Sequence, residues 1–214
     1  MIINEHIRDY IGSLEKEEPV GLMKLEDWAL RNGVPIIRRD TQQFLRFILT
    51  KEKPKAILEI GAAVGFSTLY MHEYAPEDCL ITTIEKVEMR LVHARENLSG
   101  HERIRLIEGE AGEVLAGLVH DGAHFDLVFL DAAKGQYSAW LEDILSVLNP
   151  GGLLLTDNVL LEGSIAESRF AVERRDRTIH ARMREYLSII THDERINTVI
   201  LPIGDGLAVS CKNA

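Results

Sequence analysis

The sequence predicts an α/β protein, a mostly parallel sheet with helices on both faces and an antiparallel hairpin at its C-terminal side. Three observations carry this expectation. From residue 56 onward, short β-rich apolar runs alternate with helical segments, as in a parallel sheet covered on both faces. Before residue 55 the apolar period is helical throughout. Late in the chain, NTVILPI and GLAVSCK are separated only by Gly204-Asp205, which reads as a hairpin turn adding an antiparallel pair at the sheet edge. With 214 residues and no linker-like stretch, the chain reads as one domain over 1–214, a helical cap (1–54) preceding the core (55–214).

In order, Ile3, Ile7, Tyr10 and Ile11 recur at helical spacing, as do Leu22, Leu25, Trp28 and Ala29, ending at Asn32-Gly33. A third amphipathic stretch starts near Asp40 and carries Phe44, Leu45, Phe47 and Ile48. Then the period changes. AILEI is followed by a helix over 66–74, LITTIE by 86–98, IRLI by 110–118, DLVFLD by 136–148, and GLLLTD by 165–190. A content of 46% hydrophobic and 27% charged residues suits a soluble globular protein. The first twenty residues mix charges into the apolar positions, unlike a signal peptide, and no apolar run is long enough to span a bilayer, so we expect a cytoplasmic protein without membrane contacts. Cys79 and Cys211 form no C-x-x-C pair, which argues against a zinc site or disulfide framework and for small buried apolar residues. A formal charge of -10 and a pI near 5.3 argue against a surface that coats nucleic acid, but leave room for a local basic patch.

In a doubly wound sheet, ligands gather beyond the carboxyl ends of the strands. AILEIGAAVGFS puts Glu59, Gly61 and Gly65 at the first strand-to-helix turn, where glycine lets ligand atoms approach the backbone. The spacing E-x-G-x-x-x-G is neither the dinucleotide fingerprint nor a phosphate-cradling loop. LITTIE ends on Glu85, about twenty residues after the glycines, at the position where a carboxylate accepts both ribose hydroxyls. IRLIEGEAG brings Glu110 and Ala111 to the same rim as a wall for adenine. Singly, the glycines are ordinary turn residues and Glu85 an ordinary solvated charge; their order at successive strand ends points to adenosine bound without a pyrophosphate. In this, residues 56–160 resemble the Rossmann-like class I S-adenosylmethionine-dependent methyltransferases, a resemblance that implies a seven-stranded sheet.

The next two strands end in Asp131 and in Asp157-Asn158. Two carboxylates and an amide brought together call for a cation between them, and an all-oxygen set favours a hard ion such as Mg²⁺ or Ca²⁺ over zinc. Beside a methyl donor, such an ion could orient a substrate hydroxyl and favour its deprotonated form. Lys134 stands three residues past Asp131, where it could take the proton. By itself it reads as a surface lysine at a helix start, and Asp157-Asn158 as a turn. The combination VFLDAAKGQY with LLLTDNVLLEG resembles the Mg²⁺-dependent O-methyltransferases related to catechol and caffeoyl-CoA O-methyltransferases, and the similarity runs from VPII at 34 to GDGLAVS at 204. The resemblance implies metal ligation by Asp131, Asp157 and Asn158, a base at Lys134, and donor contacts from Ile37, Ser67, Glu85, Glu110, Ala111 and Asp131, the last serving catalysis, metal and donor alike. It also implies a homodimer.

Substrate choice must lie outside the shared motifs. SRFAVERRDRTIHARMREY carries Arg169, Arg174, Arg175, Arg177, Arg182 and Arg184, an electrostatic footprint for a polyanion, although Glu173, Asp176 and Glu185 could neutralise it within a solvated helix. The chain resembles the bacterial tRNA 5-hydroxyuridine methyltransferase subgroup, which implies conversion of a wobble 5-hydroxyuridine to 5-methoxyuridine, an anticodon loop as partner, and RNA contacts from Arg174, Arg175, Arg177 and Arg182. Ile37 departs from that subgroup, where Met is frequent beside the cofactor; the change is conservative. Two alternatives stay open: a small-molecule catechol or phenol O-methyltransferase with the same site, and a catalytically silent adenosine-binding module.

Overall fold

The computed structural model describes residues 4–214, so Ile3 of the first helical pattern lies outside the described residues. Helices α1 (Glu5–Ser13), α2 (Val20–Arg31) and α3 (Arg39–Glu52) form the N-terminal cap. Strands β1 (Ala56–Ile60), β2 (Leu80–Glu85), β3 (Ile104–Glu108), β4 (Phe125–Leu130) and β5 (Leu148–Thr156) then alternate with α4 (Phe66–Tyr74), α5 (Glu88–Leu98), α6 (Ala111–His120) and α7 (Tyr137–Val147). Helix α8 (Arg177–His192) precedes β6 (Ile196–Leu201) and β7 (Leu207–Lys212). The seven strands run in the order β3-β2-β1-β4-β5-β7-β6. The first five pair in parallel, whereas β7 lies antiparallel between β5 and β6. Strand order reverses between β1 and β4, which is where a doubly wound sheet opens a crevice.

Alternation along the strands divides the core. Leu58 and Ile60 of β1 face a cluster with Leu115 of α6, Trp140 of α7 and Tyr186 of α8, while Ile57 faces Leu45 and Leu49 of α3 and Tyr70 of α4. Apart from Trp140, all of those side chains are 1% exposed or less, so truncating one to alanine would cost about 2–5 kcal/mol. Cys79 is buried and Cys211 partly so, both as free thiols.

The structure differs from the sequence expectation in three places. The segment expected as a helix over 165–190 is broken: a 3₁₀ stretch, Leu161–Ala166, precedes turns, and α8 begins only at Arg177. Left-handed backbone at Glu162 (φ 55) and Gly163 (φ 87) turns the chain, and Arg177 Nε donates back to Val172 O at 3.1 Å, folding 170–176 into a knot of turns. The β6–β7 connection spans Pro202–Gly206 rather than Gly204-Asp205 alone. Strand β5 begins at Leu148, with an irregular register where Phe125↔Leu148 gives way to Leu127↔Leu153 around Gly151 (φ 76).

Candidate functional site

Strand register places the site. Leu130 of β4 pairs with Thr156 of β5, so Asp131 and Asp157, one residue beyond each, leave the sheet side by side. Asp131 N donates to Ile60 O at 3.1 Å and Asp157 N to Leu130 O at 3.0 Å, which stacks the ends of β1, β4 and β5 in sequence. Gly61, one residue past β1, has φ +106, and a Cβ there would lie 2.1 Å from the carbonyl oxygen of Asp131. Only glycine lets these strand ends pass, so the first turn and the Asp131 turn form one rim.

Two clefts open on that rim and share Gly61, Arg90 and Ala132. One, about 260 Å³, is lined by Glu85, Glu110, Ala111 and Trp140. Glu85 is held rigidly there: Oε2 accepts Ala63 N at 2.9 Å, and Oε1 accepts the backbone N–H groups of Lys86 and Val87, both at 2.8 Å. Glu110 pairs with Lys86 at 2.5 Å. The other cleft, about 270 Å³, runs past Ile37, Ser67 and Asp131 to Lys134 and Asn158.

Glu59 and Gly65, expected among the ligand contacts, line neither cleft. Alternation turns the Glu59 side chain inward toward α4, where its Oε2 accepts the hydroxyls of Thr68 and, at 2.5 Å, Thr83. It is fully buried, its Oε1 has no partner, and burial pushes its carboxyl up to about 7. Gly65 starts α4 with φ +87, and a Cβ would meet Leu98 of α5 at 2.9 Å. Both residues support the first turn from behind.

Asp157, expected as a metal ligand, lines neither cleft and lies buried next to Asn158, 3% exposed; burial first, then the charge of Asp131, push its carboxyl up to about 7. Asp131 is likewise raised by burial, against the pull of Lys134 and the Asn158 amide. Asn158 Nδ2 lies 3.1 Å from Asp131 Oδ1, and the residue adopts left-handed backbone (φ 62), a costly conformation that aims its amide into the cleft. Among the described residues no three His, Cys, Asp or Glu are grouped as metal ligands; the set here is two carboxylates and an amide. Two buried carboxylates, both raised and one of them by the other's charge, suit a hard cation, and turning the Asn158 amide by 180° would offer its oxygen to one.

Lys134 heads the 3₁₀ turn Lys134–Gln136. Its Nζ lies 3.8 Å from Asp205 Oδ2, a residue the sequence analysis passed over as part of a turn. The six arginines are spread across their segment. Arg175 pairs with Glu173 at 3.0 Å, Arg177 holds the carbonyls of Val172 and Phe170, Arg182 donates to Gly135 O at 3.0 Å, and Arg184 reaches the carbonyls of Ile165 and Glu167. Arg169 and Arg174 are exposed.

A glycine turn at the switch point, an anchored acidic residue at the end of β2 and a carboxylate pair beyond β4 and β5 define a Rossmann-like fold of the methyltransferase type. The profile of the O-methyltransferase family matches residues 15–213, and the chain belongs to that family. A catechol O-methyltransferase of Niastella koreensis is 29% identical over 171 residues, 77% of each chain. The crystal structure of a Staphylococcus aureus protein provisionally named a caffeoyl-CoA O-methyltransferase matches with a TM-score of 0.90 at 30% identity, covering 98% of this chain and 100% of that one. An S-adenosylhomocysteine-bound methyltransferase of Podospora anserina matches at 0.84 and 25% identity, covering 99% and 97%.

Proposed function

We propose that this O-methyltransferase moves the methyl group of S-adenosylmethionine to the 5-hydroxyl of 5-hydroxyuridine at the tRNA wobble position, giving 5-methoxyuridine. The observation that carries the chemistry is the convergence of Asp131, Asn158 and Lys134 at the end of a cleft that shares its wall with the one Glu85 lines, with Asp157 buried next to Asn158. Adenosine fits that second cleft, its ribose on Glu85 and its base against Ala111 and Glu110, and the S-adenosylhomocysteine held by the Podospora relative supports this donor. Ile37 and Ser67 then flank the path from donor to acceptor.

A divalent cation such as Mg²⁺, held by Asp131, Asp157 and Asn158, would supply the positive charge that favours a deprotonated hydroxyl. Lys134 Nζ takes the proton as the hydroxyl oxygen attacks the methyl carbon, and the donor sulfur departs as a neutral thioether. The walls of the cleft fix the in-line approach, which is where most of the acceleration of such a displacement arises.

Support for tRNA comes from placement: the arginine-bearing segment 169–184 lies beside the Lys134 turn, which Arg182 touches through Gly135 O. Unstacked anticodon bases could enter the cleft without melting a duplex. A second reading, a small catechol as acceptor, is favoured by the name of the Niastella relative and by the arginines that spend their donors on their own segment. The homodimer is supported by an exposed apolar stripe formed by Ile7, Tyr10 and Ile11 of α1 and Leu14 just beyond it. The deciding experiment offers labelled S-adenosylmethionine to tRNA bearing 5-hydroxyuridine and to catechol, with and without Mg²⁺. Metal-dependent labelling of tRNA well above catechol is expected; labelling of catechol alone would move the acceptor to small phenols.

A further inference from the structure

We propose that Asp205 is the positioning residue for Lys134, holding its side-chain nitrogen at the cleft from the turn between β6 and β7. This rests on the reading of Lys134 as the proton acceptor. Four rotatable bonds leave the Lys134 nitrogen free over a wide arc, and Asp131 and Asp157 both attract it. Left to that attraction, it would settle between the two carboxylates, where the cation belongs. Among the described residues, Asp205 is the one carboxylate within salt-bridge distance of Lys134, at 3.8 Å, and it approaches from the β6–β7 turn rather than from the two strand ends.

Asp205 is built to hold still. It is 5% exposed, and its Oδ1 accepts the backbone N–H of Glu162, leaving Oδ2 toward Lys134. The surrounding turn is anchored on two sides. Gly204 N donates to Asp40 Oδ2 at 2.6 Å and Gly204 O accepts Arg38 Nη1 at 3.3 Å, tying it to the N-terminal cap. On the other side, Val159 N donates to Gly206 O at 3.0 Å and Leu160 N to Asp205 O at 2.9 Å, tying it to the chain that leaves Asn158. Gly206 has φ +85 and no room for a Cβ, which would lie 2.2 Å from Leu160 Cγ. Lys134's own backbone turn is fixed separately by Arg182 on Gly135 O. One contact therefore sets the turn and the other the side chain.

The test pairs Asp205→Asn with Lys134→Ala. Asparagine keeps an acceptor for Glu162 N–H and removes the charge, so thermal unfolding and S-adenosylhomocysteine affinity should stay at wild-type values while kcat falls tenfold to a hundredfold. In the Lys134→Ala background the same change should do nothing further, because a residue acting through Lys134 has nothing left to act on. An equal loss in both backgrounds, a fall in unfolding temperature that tracks the fall in activity, or unchanged kcat would overturn the proposal. A readout independent of turnover accompanies these: with ¹³Cε-labelled lysine, the Lys134 ε-protons should give two separate resonances in wild type and one averaged resonance in Asp205→Asn. Averaged signals already in wild type would refute the positioning whatever the kinetics show. Separate signals in a protein that methylates no hydroxyl would instead refute the proposed function and leave the positioning intact.

Discussion

Replacing Glu59 by glutamine should make the protein more stable at neutral pH and leave it unchanged in acid. Burial lifts this carboxyl from an ordinary 4.5 to about 7, and at about 1.4 kcal/mol for each pH unit that displacement is worth roughly 3 kcal/mol. Below pH 4.5 folded and unfolded chains both hold the proton, and the group contributes nothing. Between 4.5 and about 7 the unfolded chain releases it while the folded chain keeps it, so stability falls as pH rises and levels off above that window. Glutamine has no proton to lose, yet its amide oxygen can still accept from Thr68 and Thr83. Asp131 and Asp157 are raised too, which makes the informative quantity the difference between wild type and variant. Urea unfolding across pH ~4 to ~8 should show that difference growing by about 3 kcal/mol, or about 6–12 °C in Tm for a chain of this size. A difference that stays constant with pH would refute the assignment of the penalty to Glu59.

Asp157→Ala should lower methyl transfer by about a hundredfold or more while changing unfolding free energy by less than about 1 kcal/mol, since it removes one of two buried, mutually repelling carboxylates; a matching collapse of stability would count against a role in ligand binding. Gly61→Ala should destabilise the fold by about 3 kcal/mol or more, from positive φ and from the clash with the Asp131 carbonyl, read by thermal unfolding. Neutralising Arg169 and Arg174 together should reduce the slope of log affinity for tRNA against log salt by about 1–2, and an unaltered slope would remove them from the interface. Arg177→Ala should instead lower Tm, because its guanidinium holds the Val172 and Phe170 carbonyls.

The parallel strands were readable because AILEI and LITTIE are short runs rich in apolar and β-branched residues, alternating with helical segments, and β1 and β2 span those residues. Register then brings Asp131 and Asp157 together, and adjacency of β4 and β5 follows from the fold class itself. What escaped the sequence was the direction of side chains and the partners of charges. Glu59 and Glu85 look alike in sequence, each at or next to the end of a strand, but one side chain turns toward Thr68 and the other to the rim. The stretch 165–176 has helix-forming composition without a helical apolar face; Val172 is buried while Phe170 is 85% exposed, and the helix waits for α8. Asp205 hid in Gly-Asp-Gly, which signals a turn whatever the aspartate does.

Strand β7, wedged between β5 and β6, follows in the chain every residue that lines the two clefts, so the turn that holds Lys134 is added after the clefts are formed. A nascent chain that has paired β1 to β5 already displays both carboxylates and the lysine, yet lacks the turn that ties cap, loop and lysine together. Until that hairpin inserts, β5 presents an open edge to any other strand, and the protein is more exposed to mispairing than to futile chemistry.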